Sequence, residues 1–241
     1  MWLAFQKIPY SEDTPLVLLI GLLVLSCGIV FIRRGHNRRY SRRVFQLIYD
    51  GKNEQFLETM TQDIETAISS AVRSNLELKL GMGLLLMGRW KEARTALALI
   101  DSSYIQENSR RWFHMSNLQV LLHTDQEDAN RYFVRNHEHF IPDSPNALIN
   151  QAIRLHNGMV EFLIKQDPHA EKIFLALTSE CKDAVIKSRA YYFLARMEHD
   201  REQPDAAQAF LEQSKQISPE VVHGPELTEP WIQRGRAVRK A

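Results

Sequence analysis

The feature that most constrains the fold of this chain is a set of small and apolar residues that recurs along it. Alanines that follow polar turns are 36, 41 and 37 residues apart, at Ala93, Ala129, Ala170 and Ala207. Twelve residues before them lie Gly81, Asn117, Gly158 and Ala195, and four residues after them lie Leu97, Phe133, Phe174 and Leu211. Small residues let two helices approach closely, and the large apolar residue fills the next layer. The recurrence therefore predicts repeated helical hairpins.

The rest of the pattern is helical almost throughout the region after residue 43. Apolar residues recur at three- and four-residue spacing, and no run alternates as a strand does. Short polar turns divide this region at Asp50-Gly51, Gly88-Arg89, Thr124-Asp125, Gln166-Asp167-Pro168 and Gln203-Pro204. Asp167 before Pro168 is typical of a helix start, with an N-cap followed by proline at the first helical position. We predict an all-α domain over residues 44–221.

Three glycines lie within one leucine-rich helical stretch, residues 78–101. Each glycine inside a helix costs about 1 kcal/mol relative to alanine, so their presence calls for a packing reason. We expect Gly81 to face Ala93 across a hairpin, Gly88 to form the turn, and Gly83 to occupy another position where a small residue is needed.

These residues resemble the tetratricopeptide repeat (TPR) family. The best matching unit is 74–107, with Leu80, Gly81, Leu84, Gly88, Trp90, Ala93 and Leu97, followed by 188–221, with Tyr191, Leu194, Ala195, Ala207, Leu211 and Pro219. Units 110–143 and 151–184 are degenerate, and whether residues 37–70 form a further unit stays open. The resemblance implies an α-solenoid of stacked TPR-like helical hairpins. A generic helical bundle is the alternative.

The resemblance also implies a partner-binding groove on the first helix of each unit. The candidate residues are Met82, Leu85, Leu118, Leu121, Met159, Phe162, Tyr192 and Arg196. The alternative is that the apolar members of this set simply bury against neighbouring helices.

An uninterrupted apolar run of seventeen residues, Leu16 to Ile32, precedes the helical region. At 1.5 Å per residue it extends roughly 25 Å, near the lower limit for crossing a bilayer. Six arginines follow it, Arg33, Arg34, Arg38, Arg39, Arg42 and Arg43, which we expect to contact lipid headgroups. By the positive-inside rule, we predict a transmembrane helix at 15–32, residues 1–14 outside the cytoplasm, a juxtamembrane tether at 33–43, and the repeats inside. A lipoprotein cleavage box at Cys27 is the weaker alternative.

Charge and motif content point away from nucleic acids and from catalysis. Residues after 43 contain 23 Lys and Arg against 27 Asp and Glu, whereas a nucleic-acid binder concentrates basic charge on its body. Cys27 and Cys181 have no CxxC partner, which argues against a zinc site or a disulfide framework. His137 and His139 are two residues apart, so we expect solvated side chains rather than metal ligands. We predict no catalytic residues, no metal, no cofactor and no small-molecule substrate.

The sequence thus predicts a membrane-tethered TPR-like scaffold or adaptor, not an enzyme. Its concave face would bind a peptide or helix of a partner protein and so assemble or regulate a membrane-associated complex. One alternative is a helical-bundle subunit with a structural role only; another is a TPR domain displayed outside the cytoplasm. The tail, 222–241, either caps the last repeat through Trp231 and Ile232 or is frayed.

Overall fold

The computed structural model describes residues 37–105 and 107–223 of the chain. These residues form helices, turns and loops with no strand, which confirms the predicted all-α class for this part of the protein. The predicted span at 15–32 and the tail after residue 223 lie outside the described residues, as do Arg33 and Arg34.

The chain divides into two compact units, Met1–Val44 and Phe45–Ala241. In the first unit, residues 37–44 are helical, and four of the arginines predicted to contact lipid headgroups are exposed, namely Arg38, Arg39, Arg42 and Arg43. Their lipid contacts stay a prediction.

The α-helices have short connections. Residues 37–49 form α1, and the others are α2 (Asn53–Glu65), α3 (Ser70–Leu86), α4 (Trp90–Ala98), α5 (Glu107–Thr124), α6 (Gln126–Arg135), α7 (Ala147–Val160), α8 (His169–Glu180), α9 (Ala184–Asp200) and α10 (Pro204–Ile217). Two 3₁₀ turns, Ser102–Tyr104 and His137–Phe140, and one π turn, Glu161–Lys165, lie between them.

Consecutive helices of the second unit pack in pairs. The pairs α3–α4, α5–α6, α7–α8 and α9–α10 are each in contact. Each of the four predicted repeat units falls on one pair and begins three or four residues after the start of its first helix. The first helices also contact one another in series, α3 with α5, α5 with α7, and α7 with α9. The surface shared by α3, α5, α7 and α9 is therefore where side chains from all four pairs can meet.

The glycines explain how closely the helices of a pair approach. A Cβ on Gly81 would lie 2.6 Å from Leu97 Cδ2, and its three nearest atoms all belong to Leu97, the large apolar residue four positions after the expected partner Ala93. Gly158 repeats this arrangement, since its Cβ would lie 2.8 Å from Phe174 Cε1. Gly88 ends α3 with a φ of +72°, a left-handed conformation that glycine adopts without strain.

The start of α8 differs slightly from the prediction. The helix begins at His169, and Asp167 accepts a hydrogen bond from the His169 backbone N–H at 2.8 Å. Pro168 is the N-cap and not the first helical residue. The π turn before it ends at Lys165 and is followed by Gln166, which has a positive φ of 54°.

The segment after α10 returns to the beginning of the second unit. The Val222 backbone N–H donates to the Leu86 carbonyl at 2.8 Å, at the end of α3. His223 is buried, and its Nε2 lies 2.5 Å from Ser188 Oγ in α9. Residues 218–223 therefore connect the last helical pair to the first.

Candidate functional site

A cavity of about 170 Å³ opens on the surface shared by the first helices. Its walls come from α1, α3, α5, α7 and the start of α9, including Phe45, Met82, Trp112, Gln119, Leu155 and Arg189. We call it the first-helix pocket. A second cavity, of about 320 Å³, shares Tyr49, Asp183 and Val185 with it and is also lined by residues 217–221.

The unusual group of the first-helix pocket is the guanidinium of Arg189. Only 5% of this residue is exposed. Its Nη1 donates a hydrogen bond to Gln119 Oε1 at 2.7 Å, whereas its Nε and Nη2 have no hydrogen-bond partner among the described residues. A buried charge with unsatisfied donors is costly, so this arrangement demands an explanation.

No carboxylate of the described residues neutralises Arg189 directly. No carboxylate oxygen of these residues lies within 4.0 Å of an Arg189 nitrogen, the distance that defines an ion pair. Asp183 and Tyr49 are nevertheless near enough to act on the guanidinium electrostatically. Asp183 instead caps α9, because its side chain accepts from the Ile186 backbone N–H at 3.0 Å. Burial lowers the pKa of Arg189 to about 10, so the side chain remains positive at neutral pH.

Two further polar side chains of the pocket have unused hydrogen-bonding atoms. Since Gln119 accepts from Arg189 through Oε1, its buried Nε2 remains a free donor among the described residues. His156 Nδ1 lies 2.7 Å from the Ala152 carbonyl and must donate to it. Burial lowers the pKa of His156 to about 4, which leaves Nε2 of the neutral ring as an unpaired acceptor.

The predicted groove residues fall into two classes of exposure. Leu118 and Met159 have no exposed surface, and Leu85 and Tyr192 are 3% and 5% exposed. Met82, Leu121, Phe162 and Arg196 are half-buried. In this conformation the fully buried pair offers a partner no surface, whereas Met82 and Leu85 line the pocket.

The structure also brings Phe162 and Arg196 together, with the guanidinium carbon 5.6 Å from the ring centroid. A cation over an aromatic face at this distance is favourable. The partner-binding role of the eight residues stays a prediction.

The site residues predicted from the sequence do not include Arg189, Gln119 or His156. The sequence did contain an indication of this site at Arg189. The arginine follows Ile186 by three residues and precedes Phe193 by four, which is the spacing of one helix face. Both neighbours are buried, so the arginine lies on the apolar stripe of α9. A charged residue on such a stripe is rare unless it is paired.

Other reactive side chains are arranged for packing. His139 was expected to be solvated, but its ring stacks on His114 with centroids 3.8 Å apart, while His137 is exposed. Ser188 contacts His223 but is wholly buried. The Cys181 thiol is buried, and burial raises its pKa. The described residues contain no group of three His, Cys, Asp or Glu that could hold a metal ion.

No family model, curated protein or solved structure matches this chain. Within residues 37–105 and 107–223, no helix combines the length and the apolar character that a bilayer crossing requires.

Proposed function

We propose that this chain is a membrane-anchored adaptor whose helical hairpins bind a segment of a partner protein at the first-helix pocket. In this proposal residues 15–32 cross the bilayer, the six arginines face anionic headgroups, and the repeat domain lies in the cytoplasm. The four hairpins stack as a TPR-like α-solenoid.

The observation that supports this proposal is the composition of the pocket wall. Met82 comes from α3, Gln119 from α5, Leu155 from α7 and Arg189 from α9, one helix of each pair. A cavity lined by one helix of each pair is consistent with stacked units, and repeat arrays commonly bind their partners along a surface that the units share.

The wall chemistry favours a partner segment with an apolar side chain. Trp112, Leu85 and Met82 supply apolar surface around the cavity. Methionine adapts its shape to apolar groups, and Met82 is half-buried and so reachable. Partner contacts of the wider groove are proposed for Leu121, Phe162 and Arg196, the other half-buried members of the predicted set.

A purely structural role is the second candidate, and one observation favours it for part of the site. Leu118 and Met159 are fully buried, so they contribute to the core of α5 and α7 whatever the protein binds. The adaptor proposal therefore depends on Met82 and not on these two residues.

The test compares two single substitutions in the full chain, expressed in its native membrane and isolated with its bound proteins. Met82→Glu places a charge at the apolar pocket wall. Leu175→Glu is the matched control, since Leu175 is 45% exposed on α8, outside the pocket.

The proposal predicts that Met82→Glu loses a specific partner that the wild type and Leu175→Glu retain, while the melting temperatures of the three proteins stay similar. Equal recovery of all partners by both variants would contradict the proposal. Loss of partners that appears only together with unfolding of Met82→Glu would favour the structural role.

A further inference from the structure

Two side chains that line the first-helix pocket have hydrogen-bond donors without a partner among the described residues. Arg189 Nε, Arg189 Nη2 and Gln119 Nε2 are all buried and unpaired among the described residues. Each such atom lost hydrogen bonds to water when the protein folded, and a guanidinium loses most. A ligand that accepts hydrogen bonds and bears negative charge would satisfy all three.

We propose that the first-helix pocket is a binding site for a carboxylate joined to a compact apolar group, with Arg189 and Gln119 holding the carboxylate. The planar guanidinium fork matches the two oxygens of a carboxylate, and charge-assisted hydrogen bonds of this kind are among the strongest in proteins.

The charge balance of the pocket selects a monoanion. Arg189 is the one cation among the residues that line it, and the Asp183 carboxylate lies at the same wall. A phosphate monoester bears a charge of about −1.5 to −2 at neutral pH, which a single arginine beside an aspartate compensates poorly. A carboxylate brings a single negative charge, which Arg189 beside Asp183 compensates better than the charge of a phosphate monoester.

The apolar residues that line the pocket indicate the chemistry of the rest of the ligand. Met82, Leu85, Trp112, Met115 and Leu155 line the cavity, so the group attached to the carboxylate is apolar. The volume of about 170 Å³ is small compared with the roughly 300–1,000 Å³ of drug-sized pockets. The apolar group is therefore compact, comparable to one branched aliphatic side chain.

This inference goes beyond the proposed function, because it does not require the ligand to be part of a protein. A free organic acid and the terminal residue of a peptide both present a carboxylate beside an apolar group. The unpaired acceptor His156 Nε2 gives the means to distinguish them, since a terminal peptide residue also has an amide N–H to donate.

The experiment uses the full chain in lipid nanodiscs, with empty nanodiscs to correct for partitioning into lipid. Four probes are titrated by ligand-observed NMR. They are 4-methylpentanoate and its uncharged amide, and N-acetyl-leucine and its uncharged amide. Each pair differs in the carboxylate and keeps the same branched apolar group.

We expect saturable binding of at least one acid, about tenfold or more tighter than its amide, as expected for a hydrogen bond to a charged group. Tighter binding of N-acetyl-leucine indicates a peptide terminus, and tighter binding of 4-methylpentanoate indicates a free acid. Equal affinity for acid and amide, or no saturable binding of any probe, overturns the proposal.

Two variants locate the site. Arg189→Met should weaken binding of the acid about ten- to a hundredfold and leave the amide unaffected. Arg94→Met, which removes an arginine on α4 that does not line the pocket, should bind as the wild type does. If Arg189→Met does not fold, the comparison of acid with amide on the wild-type chain still decides the question. Acid binding without a recovered partner protein would refute the adaptor function and leave this site standing.

Discussion

Arg189 in α9 donates a hydrogen bond to Gln119 Oε1 in α5 at 2.7 Å, although 70 residues separate them in the chain. The bond joins two helical pairs that are not consecutive and fixes one nitrogen of a buried guanidinium. The other two polar nitrogens stay unpaired among the described residues. The bond therefore orients the arginine but leaves its other donors without an acceptor, which the proposed carboxylate ligand would provide.

Replacing both members of this bond should not destabilise the unliganded protein. In Arg189→Met with Gln119→Leu, apolar groups of similar size replace a buried charge and its partner, a change that is often neutral or stabilising by about 1–4 kcal/mol. Urea unfolding of the full chain in detergent measures it. Gln119→Leu alone should lose about 1–3 kcal/mol, because it leaves a further donor of Arg189 unpaired. A double variant less stable than Gln119→Leu would contradict the account.

The contact between Gly81 and Leu97 sets the distance between α3 and α4. Gly81→Leu should destabilise the protein by about 1–3 kcal/mol or more, because the new side chain overlaps Leu97. In a Leu97→Ala background the same change should cost less, with a coupling of about 0.5–3 kcal/mol between the two sites. Thermal unfolding of the four proteins gives this coupling, and strictly additive effects would show that the two residues are not in contact.

The stability of the fold should fall in mild acid. Burial lowers the pKa of His123 to about 3 and those of His114 and His156 to about 4, from an ordinary value of 6.5. Below pH 6.5 the unfolded chain therefore binds protons that the folded protein does not take until about pH 4, and protonation favours unfolding.

The urea midpoint should accordingly decrease between pH 7 and pH 5, above the range where most carboxylates titrate. The variant His156→Met should show a weaker decrease than the wild type. The control His137→Gln, altered at an exposed side chain, should keep the full decrease. A midpoint independent of pH in the wild type would show that folding does not lower the pKa values of these histidines.

The orientation in the membrane is open to a direct measurement. Six arginines follow the predicted span, whereas the only charged side chains of the first fourteen residues are Lys7, Glu12 and Asp13. By the positive-inside rule, we therefore expect the C-terminus to face the cytoplasm. A reporter active in only one compartment, fused after Ala241, reads this out. Activity on the outer side of the membrane would reverse the topology.

Helix positions were predictable because their signals are local. Periodic apolar residues and turns at Gly88, Asp125 and Pro204 mark where helices begin and end, and the structure has boundaries there. The repeat spacing also placed Gly81 and Gly158 sixteen positions before the large residues Leu97 and Phe174, whose side chains lie nearest to them in the structure. The sequence pointed to Ala93 as the neighbour of Gly81, because the spacing fixes the layer less well than the face.

The site was harder to predict because it depends on contacts between distant residues. Nothing near Gln119 in the chain indicates that Arg189 lies beside it, and nothing near Val222 indicates that it returns to Leu86. The apolar residues of a first helix are alike in sequence, whether they line the pocket, as Met82 does, or lie in the core, as Leu118 does. Only the packing of the folded chain distinguishes these two environments.

The most direct test of the adaptor account is photocrosslinking from the pocket in intact membranes. A photoreactive amino acid replaces Met82 at the pocket wall or, as the control, exposed Leu175 on α8. The account predicts that position 82 captures one defined protein and that position 175 does not. If Arg189→Met in the same chain abolishes the capture, the partner is also held through a carboxylate. Equal capture from both positions, or no capture from position 82, would contradict the adaptor account.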